Sequence, residues 1–306
     1  MNGDQPENAK SGLPAALGAY LIWGFLPLYL ILVSSVPAFE FVSWRIVWTL
    51  PICVLIVLFR KQIPDIRDAL ANPRALMVLT ASALLIATNW YIYVWAIQAG
   101  EVYAASLGYY INPLINVLLG TMLLNERLSR MQWVAVAIAG AGVAVLLAGA
   151  LTTLWISMTL ALSFGVYGLL RKQVPVGSLP GLTIESAILV PIAAGVAWWY
   201  AQSPAGSSFG VDLWLSLAII LGGLLTAIPL LMFAVAARRM DYSTLGFIQY
   251  LAPSIVFILG LTAFDRPLLP AQLASFLFIW TAIALFVWDI LRKRRKTARL
   301  VEKPPA

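Results

Sequence analysis

Ser106-Leu107-Gly108-Tyr109-Tyr110-Ile111-Asn112-Pro113-Leu114-Ile115-Asn116-Val117-Leu118-Leu119-Gly120 decides how this chain is read. The segment is apolar enough to cross a bilayer, yet it carries two phenols, two amides and a proline. Gly108, Asn112, Asn116 and Gly120 recur every four residues, so on a helix they share one slowly drifting face. Hydrocarbon would penalise such a face, which therefore points into protein or a water-filled cavity. The chain repeats the device further on, with Leu245-Gly246, Gln249-Tyr250, Pro253 and Gly260. Gly246, Tyr250 and Ser254 again fall on one face. Two such helices facing one another would make a pathway.

Outward from that stretch, the chain is built for lipid. Of 306 residues 61% are hydrophobic and 11% charged, against about half and about a quarter in a soluble domain. A crossing helix needs roughly 20 apolar residues, and ten such runs lie near 12–33, 38–59, 75–97, 102–124, 131–149, 152–170, 181–201, 212–236, 242–264 and 271–290. The runs are continuously apolar and lack the alternation of a membrane barrel. The expected fold is an all-α integral membrane protein with ten transmembrane helices. Six runs contain proline (Pro27, Pro51, Pro113, Pro191, Pro229 and Pro253), which removes a backbone donor and kinks a helix.

Composition also bounds the chemistry. There is one cysteine, Cys53, and no histidine. That excludes a disulfide framework and removes the commonest general base and metal ligand. No Gly-rich phosphate loop and no paired-carboxylate motif is present, so no catalytic residue, metal site or cofactor is assigned.

Basic residues set the orientation. With the N-terminus in the cytoplasm, the inner segments hold Lys10, then Arg60, Lys61, Arg67 and Arg74, then Arg127 and Arg130, Arg171 and Lys172, Arg238 and Arg239, and seven in the tail. That is 18 of the 20 Lys and Arg; Arg266 lies outside and Arg45 within a run. By the positive-inside rule both termini are cytoplasmic. The basic tail Arg292-Lys293-Arg294-Arg295-Lys296 is read as an anchor on anionic lipid rather than a nucleic-acid site.

The chain also repeats itself. Trp95-Ala96-Ile97-Gln98-Ala99 is echoed by Phe233-Ala234-Val235-Ala236-Ala237. Thr88 matches Thr226, Leu107-Gly108 matches Leu245-Gly246, Pro113 matches Pro253, and Trp23-Gly24 matches Phe164-Gly165. Five helices per half is an odd number, so the halves are inverted repeats, an arrangement of alternating-access carriers with a midplane site. The expected division is a cytoplasmic tail over 1–11, a first five-helix repeat over 12–150, a second, inverted repeat over 151–291 and a basic cytoplasmic tail over 292–306.

Two five-helix halves with these Gly- and Pro-bearing fourth and ninth helices resemble the EamA branch of the drug/metabolite transporter superfamily. Ser106 to Gly120, together with Ala87-Thr88-Asn89-Trp90 and Trp95-Ala96-Ile97, is similar to the RarD subgroup, named for chloramphenicol sensitivity. The likeness runs from about residue 12 to 291. It implies a multi-pass carrier of small organic molecules in a bacterial inner membrane, and it names no particular cargo.

Depth along the helices then selects the site. Asn112 lies about ten residues into its run, roughly 15 Å at helical rise and near the middle of a 30 Å core. Trp23, Phe164 and Tyr250 come out level with it. Apolar and aromatic walls with a few placed polar groups suit a small organic ligand, so Trp23, Asn89, Trp90, Tyr109, Tyr110, Asn112, Gln249 and Tyr250 are the expected substrate contacts. For each, the competing role is helix packing, with Asn and Gln bonding across helices. Tyr93 and Trp95 are read as interface-belt aromatics. Arg45 and Glu185 are intramembrane charges at mirrored places, assigned to gating or to substrate contact. Glu185 is also placed to carry a coupling proton.

The function expected is a secondary active transporter, exporting a small organic metabolite or drug by alternating access and driven by a proton gradient or by exchange. The alternative is a non-transporting membrane sensor or assembly component. The absence of a recognisable soluble signalling domain weighs against it.

Overall fold

The computed structural model describes residues 11–147, 151–263 and 269–301, without the side chains of Gln98, Leu151 and 294–301. Most of the expected N-terminal tail, the junction at 150, Asp265, Arg266 and the last five residues of the basic tail lie outside the described residues.

The chain folds as α1 (Leu13–Leu30, continued by a 3₁₀ turn to Val33), α2 (Ala38–Arg60), α3 (Ile63–Ala71), α4 (Pro73–Gln98), α5 (Val102–Leu123), α6 (Arg130–Leu147), α7 (Leu154–Gln173), α8 (Ser178–Ala201), α9 (Leu213–Arg239), α10 (Tyr242–Gln249), α11 (Leu251–Thr262) and α12 (Pro270–Val301). Among the described residues, ten spans are long and apolar enough to cross a membrane, with α10 and α11 sharing one, Tyr242–Thr262. They fall where the apolar runs placed them. The nine-residue α3 was not anticipated. It is too short to cross and alternates Ile63, Ile66 and Ala69 with Asp65, Arg67 and Asp68, as a surface helix does.

Local chemistry fixes several ends. Asn72 caps α4, accepting from the amides of Arg74 and Ala75 at 3.1 Å each, with Pro73 in the first turn. Asp212 does the same for α9 through the Leu215 amide at 2.8 Å. The ninth span is broken at Tyr250 because Pro253 has no N–H to offer the Gln249 carbonyl. Pro113 interrupts nothing visible, and α5 runs on through it.

Packing relates the two halves by exchange. The first helix of each half, α1 or α7, packs on the third and fourth spans of the other half. The second helices α2 and α8 pack on each other and on the other half's third span, and α6 packs on α12. Small residues permit the close crossings. A methyl at Gly246 would lie 2.8 Å from the Pro113 carbonyl oxygen, and one at Gly108 would lie 2.8 Å from Leu160 Cβ. Leu32, Leu55, Leu84, Ile192, Leu221 and Ile258 are exposed, an apolar exterior that lipid accommodates.

Candidate substrate cavity

A cavity of about 260 Å³ opens between the two halves. Its walls come from α1 (Tyr20, Trp23, Pro27), α2 (Arg45), α4 (Asn89, Trp90, Tyr93) and α5 (Ser106, Tyr109, Tyr110) of the first half. The second half supplies Phe164 of α7, Thr226 and Leu230 of α9, and Gln249, Ala252 and Pro253 along the broken span. These residues occupy the later part of α1, the early part of α2, the last third of α4 and the early part of α5. The cavity therefore lies toward the end of the bundle at which α1 finishes.

Arg45 is held in place by α9. Its Nε donates to Thr226 Oγ1 at 2.8 Å, and the Thr226 hydroxyl donates in turn to the Gly222 carbonyl at 2.7 Å. The guanidinium lies 5.5 Å from the Phe41 ring centre and 5.6 Å from that of Trp90, within cation–π range. Gly222 leaves room for the Arg45 stem and the Tyr29 phenol, since a methyl there would lie 3.0 Å from Arg45 Cγ and 2.7 Å from the hydroxyl. Asn89 donates through Nδ2 to the Leu160 carbonyl at 2.8 Å and to Ser163 at 3.0 Å. Tyr93 meets Tyr109 edge to face, with centroids 5.8 Å apart.

The floor is aromatic. Trp23 contacts Tyr20 at 5.6 Å and Phe164 at 5.7 Å, and Phe233 lies behind them, 5.1 Å from Phe164. A buried polar chain runs alongside. Asn116 Nδ2 donates to Gln249 Oε1 at 2.9 Å, as does the Tyr20 hydroxyl at 3.4 Å, and Asn116 also reaches Asn112 Oδ1 at 3.3 Å.

Beyond the floor the other end of the bundle is sealed. The Glu126 carboxylate accepts from the Tyr242 amide at 2.6 Å and the Ser243 amide at 2.8 Å, capping α10 from the other half. Lys172 donates to the Ala237 and Met240 carbonyls at 2.9 and 2.7 Å, and Arg238 donates to those of Val174 and Val176. Glu185 pairs with Arg171 at 3.6 Å and accepts from the Ser82 hydroxyl.

The structure brings Trp23, Arg45, Asn89, Trp90, Tyr109, Tyr110 and Gln249 together around one space. It does not bring Asn112, Tyr250 or Glu185 there. Asn112 is 1% exposed and donates to the Ala161 carbonyl at 2.6 Å, tying α5 to α7. Tyr250 is fully buried, its hydroxyl donating to the Tyr110 carbonyl at 3.3 Å. Glu185 borders a separate void of about 10 Å³ that shares only Trp90 and Leu230 with the cavity, about the size of one water. Depth along a helix does not fix azimuth, which explains these differences. Tyr93, read as a belt residue, is turned into the cavity instead. Arg171, read as a loop cation marking topology, is fully buried; nothing in the Arg171-Lys172 pair distinguishes it from an ordinary inner-face doublet.

Comparison with known proteins gives this geometry its family. The model of the EamA-like transporter family matches residues 10–148. An uncharacterized transporter of Pseudomonas aeruginosa is 44% identical over 94% of this chain and 97% of its own length. The chain belongs to the EamA-like transporter family. The RarD proteins of Salmonella typhimurium and Escherichia coli are 38% and 37% identical to this EamA-like chain, covering 95% and 96% of it and 99% of each. A crystal structure superposes with a TM-score of 0.70 over 90% of this chain and 96% of the other, at 19% identity, which speaks to fold alone. This EamA-like chain is thus a multi-pass membrane transporter resembling RarD.

Proposed function

We propose that the chain is a secondary carrier that exports a small organic molecule across a bacterial inner membrane by alternating access, with the cavity as the cargo site. The observation that carries this reading is that both halves contribute walls to one aromatic space, bordered by a broken helix and with hydrogen bonds between the halves beyond its floor. That is the layout expected of an inverted-repeat carrier. The halves are residues 12–150 and 151–291, the termini are cytoplasmic, and the sealed end faces the cytoplasm. Trp23, Trp90, Tyr109 and Tyr110 hold the body of the cargo, while Asn89 and Gln249 offer hydrogen bonds. The Glu185–Arg171 pair acts at the gate of the sealed end, and Glu185 is the group we assign to proton coupling. Anionic lipid meets the basic tail.

The test is efflux from proteoliposomes of the full-length protein loaded with a bacterial metabolite extract plus chloramphenicol. The antibiotic is included because a Pseudomonas aeruginosa relative, 30% identical, bears the name chloramphenicol-sensitive protein RarD. Mass spectrometry should show selective loss of particular small organic compounds, accelerated by an imposed proton gradient. A Trp23→Ala/Tyr109→Ala variant should abolish the loss. Equal retention of every compound with and without protein would refute the carrier.

A further inference from the structure

Arg45 is the only charged residue among the described cavity walls, and no carboxylate lines the space. Its Nε is spent on Thr226, and its Cζ lies over the rings of Phe41 and Trp90 at 5.5 and 5.6 Å. The two terminal nitrogens have no hydrogen-bond acceptor and no ion-pair partner among the described residues. Glu40 and Glu185, the buried acids of α2 and α8, are committed elsewhere. Glu40 accepts from Trp44, from the Ser207 hydroxyl at 2.6 Å and from the Ser208 amide at 2.8 Å, and Glu185 has Arg171. The guanidinium is half-buried and faces the cavity, and its free edge matches a carboxylate in bidentate geometry.

We propose that the cargo is a small organic monoanion whose carboxylate docks on the terminal nitrogens of Arg45, with an aromatic or branched apolar body against Trp23, Trp90, Tyr109 and Phe164. This rests on the cavity being the cargo site. One uncompensated positive charge calls for one negative charge. A volume of about 260 Å³ lies just under the usual range for drug-sized ligands, so the body is small. Thr226 acts as a positioning residue: it orients the guanidinium and leaves the fork open to the cavity.

Three probes sharing one frame separate charge from shape: 3-phenylpropanoate, its neutral amide and the corresponding primary amine. Binding is measured by titration calorimetry on the full-length protein in lipid nanodiscs. The anion should bind about tenfold or more tighter than the amide, as expected for charge-assisted hydrogen bonds, and the amine weakest. Arg45→Gln should cost the anion far more than the amide and so remove the anion's preference, and Arg45→Lys should keep part of it. Thr226→Val should loosen the anion alone, and it serves as the reporter if Arg45→Gln does not fold. Ala252→Trp, which fills the cavity, should abolish binding of all three. An amide equal to the anion, with both lost in Ala252→Trp, overturns the anion assignment and leaves the cavity as the site. No binding by any probe, or binding indifferent to Ala252→Trp, overturns both.

Discussion

Arg45 and Glu185 stand at corresponding places in α2 and α8, each seven residues past the helix's first residue, Ala38 and Ser178. Each reaches a hydroxyl on the third span of the opposite half, Thr226 for Arg45 and Ser82 for Glu185. The two sites differ in completeness. Glu185 has a cation beside it in the sealed end, whereas Arg45 faces the cavity with no described anion.

Stability should register that difference. Glu185→Ala strands Arg171, which is 0% exposed, and breaking a buried pair costs about 3–5 kcal/mol. Arg45→Ala strands no charge and should cost about 1 kcal/mol or less. Thermal melts of the purified protein in detergent should place Glu185→Ala well below Arg45→Ala. An Arg171→Met/Glu185→Ala double variant should recover most of the loss.

The single cysteine offers a reporter for the sealed end. Cys53 is fully buried and lies near Glu185 and Thr183. Glu126→Gln weakens the charge-assisted cap on α10 and should raise the rate at which a maleimide labels Cys53 by several-fold. A rate identical to wild type would mean that Glu126 does not hold this end shut.

Asn112 and Tyr109 should part company in assays of binding and folding. Asn112→Ala leaves the Ala161 carbonyl without its donor and should lower stability by about 1–3 kcal/mol, with cargo affinity nearly unchanged. Tyr109 is 41% exposed and lines the cavity. Tyr109→Ala should therefore lower affinity while the melting temperature holds.

Glycine substitutions should split by neighbour. A methyl at Gly246 meets a backbone oxygen at 2.8 Å that cannot rotate away, so Gly246→Ala should cost about 1–3 kcal/mol. A methyl at Gly140 meets nothing within 4 Å, and Gly140→Ala should be neutral or slightly stabilising. Melting temperatures decide both.

The ten spans were legible because about 20 unbroken apolar residues leave a chain few alternatives. The Gly108 stripe does point into protein, seating α5 against α7 and α10, but this face is closely packed and does not form the pathway expected between the two stripes. What could not be read was azimuth near the midplane. Asn112 and Asn116 are as polar as Asn89, yet they bond to the Ala161 carbonyl and to Gln249 in helix contacts, while Asn89 borders the space. Which of two level amides faces emptiness depends on how four helices cross. A single helix's periodicity does not contain that. Arg171 eluded the reading for a related reason: a cation in the last turn of a run looks the same whether it meets water or, as here, curls back onto Ser178 and Glu185.

The gap at Tyr250 has a mechanical corollary. Since Pro253 has no N–H for the Gln249 carbonyl, swinging Leu251–Thr262 about that joint strains fewer ladder bonds than bending an unbroken helix would, among them the Ser254 amide to the Tyr250 carbonyl at 3.1 Å, and leaves Glu126's grip on the preceding segment undisturbed. The lever beside the cavity is thus only lightly tied at its fulcrum, which favours loosening one end of the molecule while the other stays latched.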